Sequence, residues 1–166
     1  EKHQIPVKYY SKTSRDFGGV KVYFLTDTKD HYYKEFDSNN KSSVIKIVHG
    51  ANEFLFIGDI EKEAELKLVR KYGEFLKADL LKAGHHGSKT SSALRFVKEV
   101  SPKSTVISAG IQNRFNHPSP VVIERFKKLN IKIHRTDRKG AILYQSNGKN
   151  INFVDWKKLE SLNLFD

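Results

Sequence analysis

Leu80-Leu81-Lys82-Ala83-Gly84-His85-His86-Gly87-Ser88 is an apolar run that ends in a glycine, two adjacent histidines, a second glycine and a serine. A short apolar run closed by glycine reads as a strand over Leu80 to Ala83. Leu94, Val97 and Val100 follow at helical spacing, so the two histidines stand in a strand-to-helix loop. The same grammar repeats on both sides. Upstream, Phe54 to Ile57 is a strand running through Gly58 into Asp59, and Ala64, Leu68, Val69 and Tyr72 mark a helix with Glu61 and Glu63 in its first turn, where acidic residues suit the dipole. Downstream, Thr105 to Ser108 is a strand, Asn113-Arg114-Phe115-Asn116-His117-Pro118 a loop, and Val122, Ile123, Phe126 and Leu129 a helix. That helix starts at Ser119, a good N-cap, with Pro120 in the first helical position.

Further strands are expected at Pro6 to Tyr10, Val20 to Leu25, Val44 to Val48, Ile131 to Arg135 and Ala141 to Gln145, with turns at Gly18-Gly19 and His49-Gly50. Asp37 to Ser43 reads as a polar loop and Trp156 to Leu162 as a short terminal helix. Strands alternating with helices in the second half make this an α/β layer pattern. The 166 residues fit one domain.

Composition narrows the chemistry. There is no cysteine, which excludes disulfides and thiolate zinc sites and leaves histidine and carboxylate as the strong metal ligands. No apolar run approaches the roughly 20 residues of a membrane-spanning helix. Lys and Arg outnumber Asp and Glu by 30 to 19, a net +11 that favours anionic partners such as nucleic acid or anionic lipid. The chain opens on Glu1 and contains no methionine, so the expectation is a processed chain or an excised segment.

Three successive strand-to-helix loops carry Asp59, then His85 and His86, then His117. In α/β proteins such loops open on the carboxyl edge of the sheet, where ligands bind. Imidazole and carboxylate suit zinc, manganese or iron. Asp59 also has a structural reading, as a cap for the helix that follows. Adjacent side chains of an extended segment point apart, so one histidine of the pair should face a metal and the other a substrate or a supporting group. Pro118 holds His117 toward extended geometry. The other histidines read as structural or solvated: His134 alternates with Ile131 and Ile133 and should face away from the core, His49 sits in a turn, and His3 and His31 lie among polar residues.

Gly84 to Thr90 fails the phosphate-loop pattern, because its glycines are three apart and Ser88 separates Gly87 from Lys89. No Gly-x-Ser-x-Gly elbow occurs. Basic residues cluster at Lys98, Lys103, Arg114, Arg125, Lys127, Lys128, Arg135, Arg138 and Lys139, as a phosphate-binding or a solvated face.

From about Gly18 to Tyr144 the chain resembles the C-terminal half of the metallo-β-lactamase-fold domain of the ComEC/Rec2 DNA-internalisation (competence) proteins. The resemblance runs through Gly18-Gly19-Val20, Asn39-Asn40, Ser42-Ser43-Val44, Phe56-Ile57-Gly58-Asp59 with Glu61, and Lys77-Ala78-Asp79. It continues through Gly84-His85-His86-Gly87-Ser88, Asn113-Arg114, His117-Pro118 and Arg135-Thr136-Asp137. It implies an αββα sandwich, here its C-terminal half with a mixed sheet and helices on one side, and a centre of one or two divalent ions, zinc or manganese. It further implies that Asp59, His86 and His117 are metal ligands and that His85 is catalytic, contacting the scissile phosphate or aiding proton transfer. Ser88, Lys89, Arg114 and Arg138 are the expected substrate and phosphate contacts. The expected activity is hydrolysis of DNA phosphodiesters during DNA uptake, in a soluble domain of a membrane-embedded bacterial protein. The family's His-x-His-x-Asp-His signature is absent from these 166 residues. The chain alone should therefore be inactive, with the N-terminal half of the domain as its partner. Two alternatives remain: a non-catalytic basic nucleic-acid-binding module, and a module that self-associates, as a homodimer, through exposed surface.

Overall fold

A computed structural model of the chain describes residues 14–26 and 35–160. The strand expected at Pro6 to Tyr10, and His3 and His31, lie outside those residues. Seven strands of one sheet follow the chain in order: β1 (Ser14–Phe17), β2 (Val20–Phe24), β3 (Ile45–His49), β4 (Asn52–Phe56), β5 (Leu80–Lys82), β6 (Ser104–Ile107) and β7 (Lys132–Arg135). The first four pair antiparallel and β4 to β7 pair parallel. The sheet changes character where crossover helices begin, because parallel neighbours need a long connection and antiparallel ones only a turn. Those connections are α1 (Lys62–Tyr72), α2 (Leu94–Val100) and α3 (Pro120–Lys128). A short helix α4 (Thr136–Lys139), a separate hairpin of β8 (Leu143–Ser146) and β9 (Ile151–Val154), and α5 (Trp156–Glu160) complete the described residues.

The two faces of the sheet differ. Leu55 and Leu81 are cross-strand partners. They join Ala64, Leu68, Phe96, Val97, Val122 and Phe126 in one buried core, so the three crossover helices cover this face. Complete burial of a leucine or phenylalanine side chain contributes about 1.5–3 kcal/mol, and most of the chain's fully buried apolar residues lie in this layer. On the opposite face the register lines up Phe24, Ile45, Phe56, Lys82, Val106 and His134. That row is less covered: Phe56 is 39% exposed.

His134 takes the structural of the two readings its sequence allows. It does point away from the helix layer, as its alternation with Ile133 requires, yet it is only 2% exposed. The hairpin covers it, with Tyr144 and Phe153, themselves register partners, at 5.6 and 4.6 Å between ring centroids. Strand β9 was not anticipated, and without it His134 had no cover. Neither ring nitrogen of His134 has a hydrogen-bond partner among the described residues. Burial, then Lys139 and Lys132, holds its pKa below the usual histidine range. His49 likewise closes a strand rather than a turn, and its Nδ1 lies 3.0 Å from Ser146 Oγ.

Candidate functional site

Each candidate ligand follows a parallel strand on the same edge of the sheet. Asp59 comes three residues after β4 ends and its backbone N–H donates to Ser42 Oγ at 3.1 Å. Two residues on, the Glu61 N–H donates to Asn40 Oδ1 at 2.8 Å. The polar loop thus carries a function in folding: it holds two amides of the loop that presents Asp59. Asp59 does not cap α1. The N-cap position is Glu61, and no side chain bonds to the helix there.

Glu61 turns instead to the site. Its Oε1 accepts from His85 Nδ1 at 2.9 Å and from the Thr90 hydroxyl at 2.7 Å. His85 and His86 are not extended, contrary to the expectation for this segment. Both adopt left-handed backbone, with φ of 42° and 53°, in a tight turn over Gly84–Gly87. Such conformations cost about 1–3 kcal/mol each for residues with a side chain and concentrate at functional sites. The glycines make the turn possible. A Cβ on Gly84 would stand 2.8 Å from the Ile60 carbonyl oxygen, and one on Gly87 (φ 79°) 2.7 Å from Pro118 Cβ. The two rings lie edge to face, 6.3 Å between centroids, with Nδ1 of His85 on Glu61 and Nε2 of His86 toward Asp59.

His86 donates through Nδ1 to the Ser108 carbonyl at 2.7 Å. A carbonyl only accepts, so Nδ1 carries a proton, and Nε2 faces Asp59 Oδ1 at 3.6 Å. Either a proton on Nε2, which makes an ion pair with the carboxylate, or a cation between the two groups satisfies this arrangement. Asp59 and His86 can therefore serve as two donors to a divalent ion. His117 comes to the same edge, its ring 5.7 Å from that of His85. Its Nδ1 is buried without a hydrogen-bond partner among the described residues. Burial and the neighbouring His85 and His86 keep His117 below the usual histidine pKa. Among the described residues no group of three His, Asp or Glu is arranged to hold an ion. The fit is to part of a coordination sphere, and further donors have to come from elsewhere.

The expected phosphate contacts separate. Arg114 lies at this edge, its guanidinium 4.6 Å over the Phe115 ring, and Lys89 is exposed beside the histidine turn. Ser88 is 5% exposed with its hydroxyl 2.9 Å from that of Thr90, inside the loop rather than on its open side. Arg138 lines a different cavity with Ile123, Lys127, Ile133, Arg135 and Lys139. Arg125 belongs to the fold, since its guanidinium donates to the carbonyls of Ser91 and Ser92.

Three groups at the site escaped the sequence reading. Glu61 reads from the sequence as suited to the helix dipole and as part of the Asp59 motif, but its spacing from His85 carries no signal because the contact is tertiary. Lys82 donates to the carbonyls of Gly58 and Ala83 at 3.3 Å, and burial lowers its pKa against the opposing pull of Asp59. Phe115, 62% exposed, stacks on His117 at 5.8 Å with 21° between the rings.

A mixed sheet whose parallel strands end in a carboxylate and three histidines at one edge defines an α/β domain with a His/Asp cluster at the crevice position. No protein-family model matches the chain. It is 41% identical over 126 residues to competence protein ComA of Neisseria gonorrhoeae, across 76% of this chain and 18% of that protein. It is 39% identical over 107 residues to ComE operon protein 3 of Bacillus subtilis, across 64% of this chain and 14% of that protein. Recombination protein 2 of Haemophilus influenzae is 35% identical over 104 residues, across 63% of this chain and 13% of that protein. The chain carries a ComEC/Rec2-type domain. It spans less than a fifth of the length of these relatives.

Proposed function

We propose that this chain supplies one wall of a metal-dependent phosphodiesterase site that hydrolyses DNA during DNA uptake, in the manner its resemblance to a metallo-β-lactamase-fold half-domain implies. The observation that carries the reading is the convergence of Asp59, His85, His86 and His117 on one sheet edge, with His86 Nε2 3.6 Å from Asp59 Oδ1. The names of the relatives, competence and recombination proteins, support the DNA-uptake context. Asp59 and His86 would hold the ion, zinc or manganese, with His117 as a further ligand. Such an ion supplies Lewis-acid polarisation of a phosphoryl oxygen and activation of water. His85, oriented by Glu61, presents Nε2 for contact with the phosphate or for proton transfer, and Arg114 and Lys89 provide charge for the DNA backbone.

The remaining ligands would come from a complementary N-terminal half-domain. The less covered sheet face carrying Phe24, Ile45 and Phe56 is where a second sheet would pack to complete an αββα sandwich. In the parent protein this domain would be an appendage of a membrane-embedded protein. Among the described residues no helix is long and apolar enough to cross a membrane.

The test joins this chain to a half-domain bearing the His-x-His-x-Asp-His signature and follows labelled single- and double-stranded DNA with manganese or zinc. Cleavage that a chelator abolishes and that falls at least about 10- to 100-fold in Asp59→Ala is expected, since loss of even a supporting partner of a metal ligand typically costs that much. Unchanged cleavage in Asp59→Ala would refute the role assigned to Asp59. A second reading, a basic nucleic-acid-binding module without chemistry, draws on the incomplete ligand set among the described residues. It requires DNA binding that weakens steeply with salt and ignores chelation, with no cleavage by the joined protein.

A further inference from the structure

Phe115 is 62% exposed, yet it is not a loose side chain on a loop tip. Its ring is braced from within by the His117 ring, nearly parallel to it at 21°, and it lies under the Arg114 guanidinium at 4.6 Å. The loop that carries it is fastened by Asn113, whose side-chain amide donates to the Gly110 and His117 carbonyls at 3.0 and 2.7 Å while its Oδ1 accepts from the His117 N–H at 3.0 Å. The ring is therefore a positioned aromatic surface. It forms a wall of an open cavity that also includes His86, Ser108, Gly110, Asn113 and His117, so the aromatic surface and the candidate ligands share one space.

Solvent gains nothing from a phenyl ring held flat beside the His117 imidazole, whereas a nucleobase gains a stacking partner. Base-on-aromatic stacking is tolerant of sequence because every base has a π-face, and arginine beside the ring adds its own planar stacking surface together with donors for a phosphate. A duplex keeps its bases stacked on one another and offers this surface only a backbone. The chain's net charge of +11 favours a polyanion over a small aromatic metabolite.

We propose that Phe115 is a stacking platform for an unpaired nucleobase that takes the place of the exposed Arg114 guanidinium on the ring as Arg114 moves to the adjoining phosphate, so that the cavity at His86 and His117 selects single-stranded over double-stranded nucleic acid. The proposal rests on the reading of this cavity as a nucleic-acid site and specifies which nucleic acid it takes. It requires no metal, so it is separable from the hydrolytic claim.

The experiment measures binding of this chain to a fluorescein-labelled oligo-dT and to a hairpin duplex of equal length by anisotropy in EDTA, at one fixed salt concentration, for the native chain, F115A, F115W and I111A. Ile111, 76% exposed on the same loop, is the control for a general apolar contribution. F115A should lose about 5- to 100-fold in affinity for oligo-dT, with duplex binding unchanged, while F115W retains single-strand binding and I111A matches the native chain. Thermal melting should show F115A as stable as the native chain, because the ring is exposed. Equal oligo-dT binding by F115A and the native chain would overturn the proposal. So would an equal loss on both substrates, or a loss in I111A matching that in F115A. Because the binding is read in EDTA, unchanged cleavage in Asp59→Ala would remove the hydrolytic reading and leave this result standing. The converse also holds.

Discussion

His86 and His85 share a device: each commits Nδ1 to a fixed acceptor, the Ser108 carbonyl for one and the Glu61 carboxylate for the other, and so presents Nε2 outward. A metal-ligating histidine characteristically donates its other nitrogen in this way, which fixes both tautomer and ring orientation. Long-range proton-nitrogen NMR should find Nδ1–H and unprotonated Nε2 on both rings at pH 8. Glu61→Ala should release His85 into mixed tautomers while His86 keeps its own; mixed tautomers in the native chain would contradict the arrangement. At this scale the sequence was only partly legible. Asp59, His85, His86 and His117 could be singled out because strand-to-helix loops converge on one edge whatever their details. Glu61 and Phe115 could not, since Glu61 meets His85 from 24 residues away and the stacking of Phe115 on His117, two residues on, depends on the fold of their loop.

The histidine turn is held from beneath by a second element. Glu65 of α1 is fully buried, and its two carboxylate oxygens accept from the backbone N–H groups of Ser92 and Ala93 at 2.6 and 2.7 Å. The Ser91 hydroxyl bonds back to the Gly84 carbonyl at 2.8 Å. Burial lifts the Glu65 carboxyl to about 7, against the two amides and Arg125, which pull it down. Glu65→Ala leaves two buried donors without partners and should cost about 2 kcal/mol or more in chemical denaturation. Gly87→Ala should lower the melting temperature as well, since it forces a Cβ against Pro118 in a left-handed backbone. A melting temperature equal to that of the native chain in either variant would remove this account of the turn. The three crossover helices and most strands were readable from periodicity. The hairpin's second strand, Ile151–Val154, was passed over although Asn147-Gly148 between alternating residues is a hairpin signal, and with it went the burial of His134.

For the molecule as a whole, two buried groups set opposite responses to pH. The folded pKa of His134 is depressed, so its contribution is present above about pH 6.5, the unfolded value, and is lost as pH falls from there through the folded value. The folded pKa of Glu65 is raised from 4.5 to about 7, so its contribution is full below 4.5 and is lost as pH rises through 7. His134→Phe removes the first response and fills the site between Tyr144 and Phe153 with a ring that needs no hydrogen-bond partner. Thermal melts from pH 5 to 8 should show the variant gaining stability over the native chain most strongly at the acid end; a gap that does not change with pH would contradict the buried neutral histidine. The sheet itself has one face sealed by helices and the other less covered at Phe56.

The claim that Asp59 and His86 form a half-built metal centre is open to direct measurement on this chain. Titration with manganese under NMR observation broadens resonances according to their distance from the ion, and it reports weak binding as readily as strong. The broadening should centre on Asp59, His86 and His117, and Asp59→Ala should abolish it there. Broadening centred elsewhere, or unchanged in Asp59→Ala, would contradict the account.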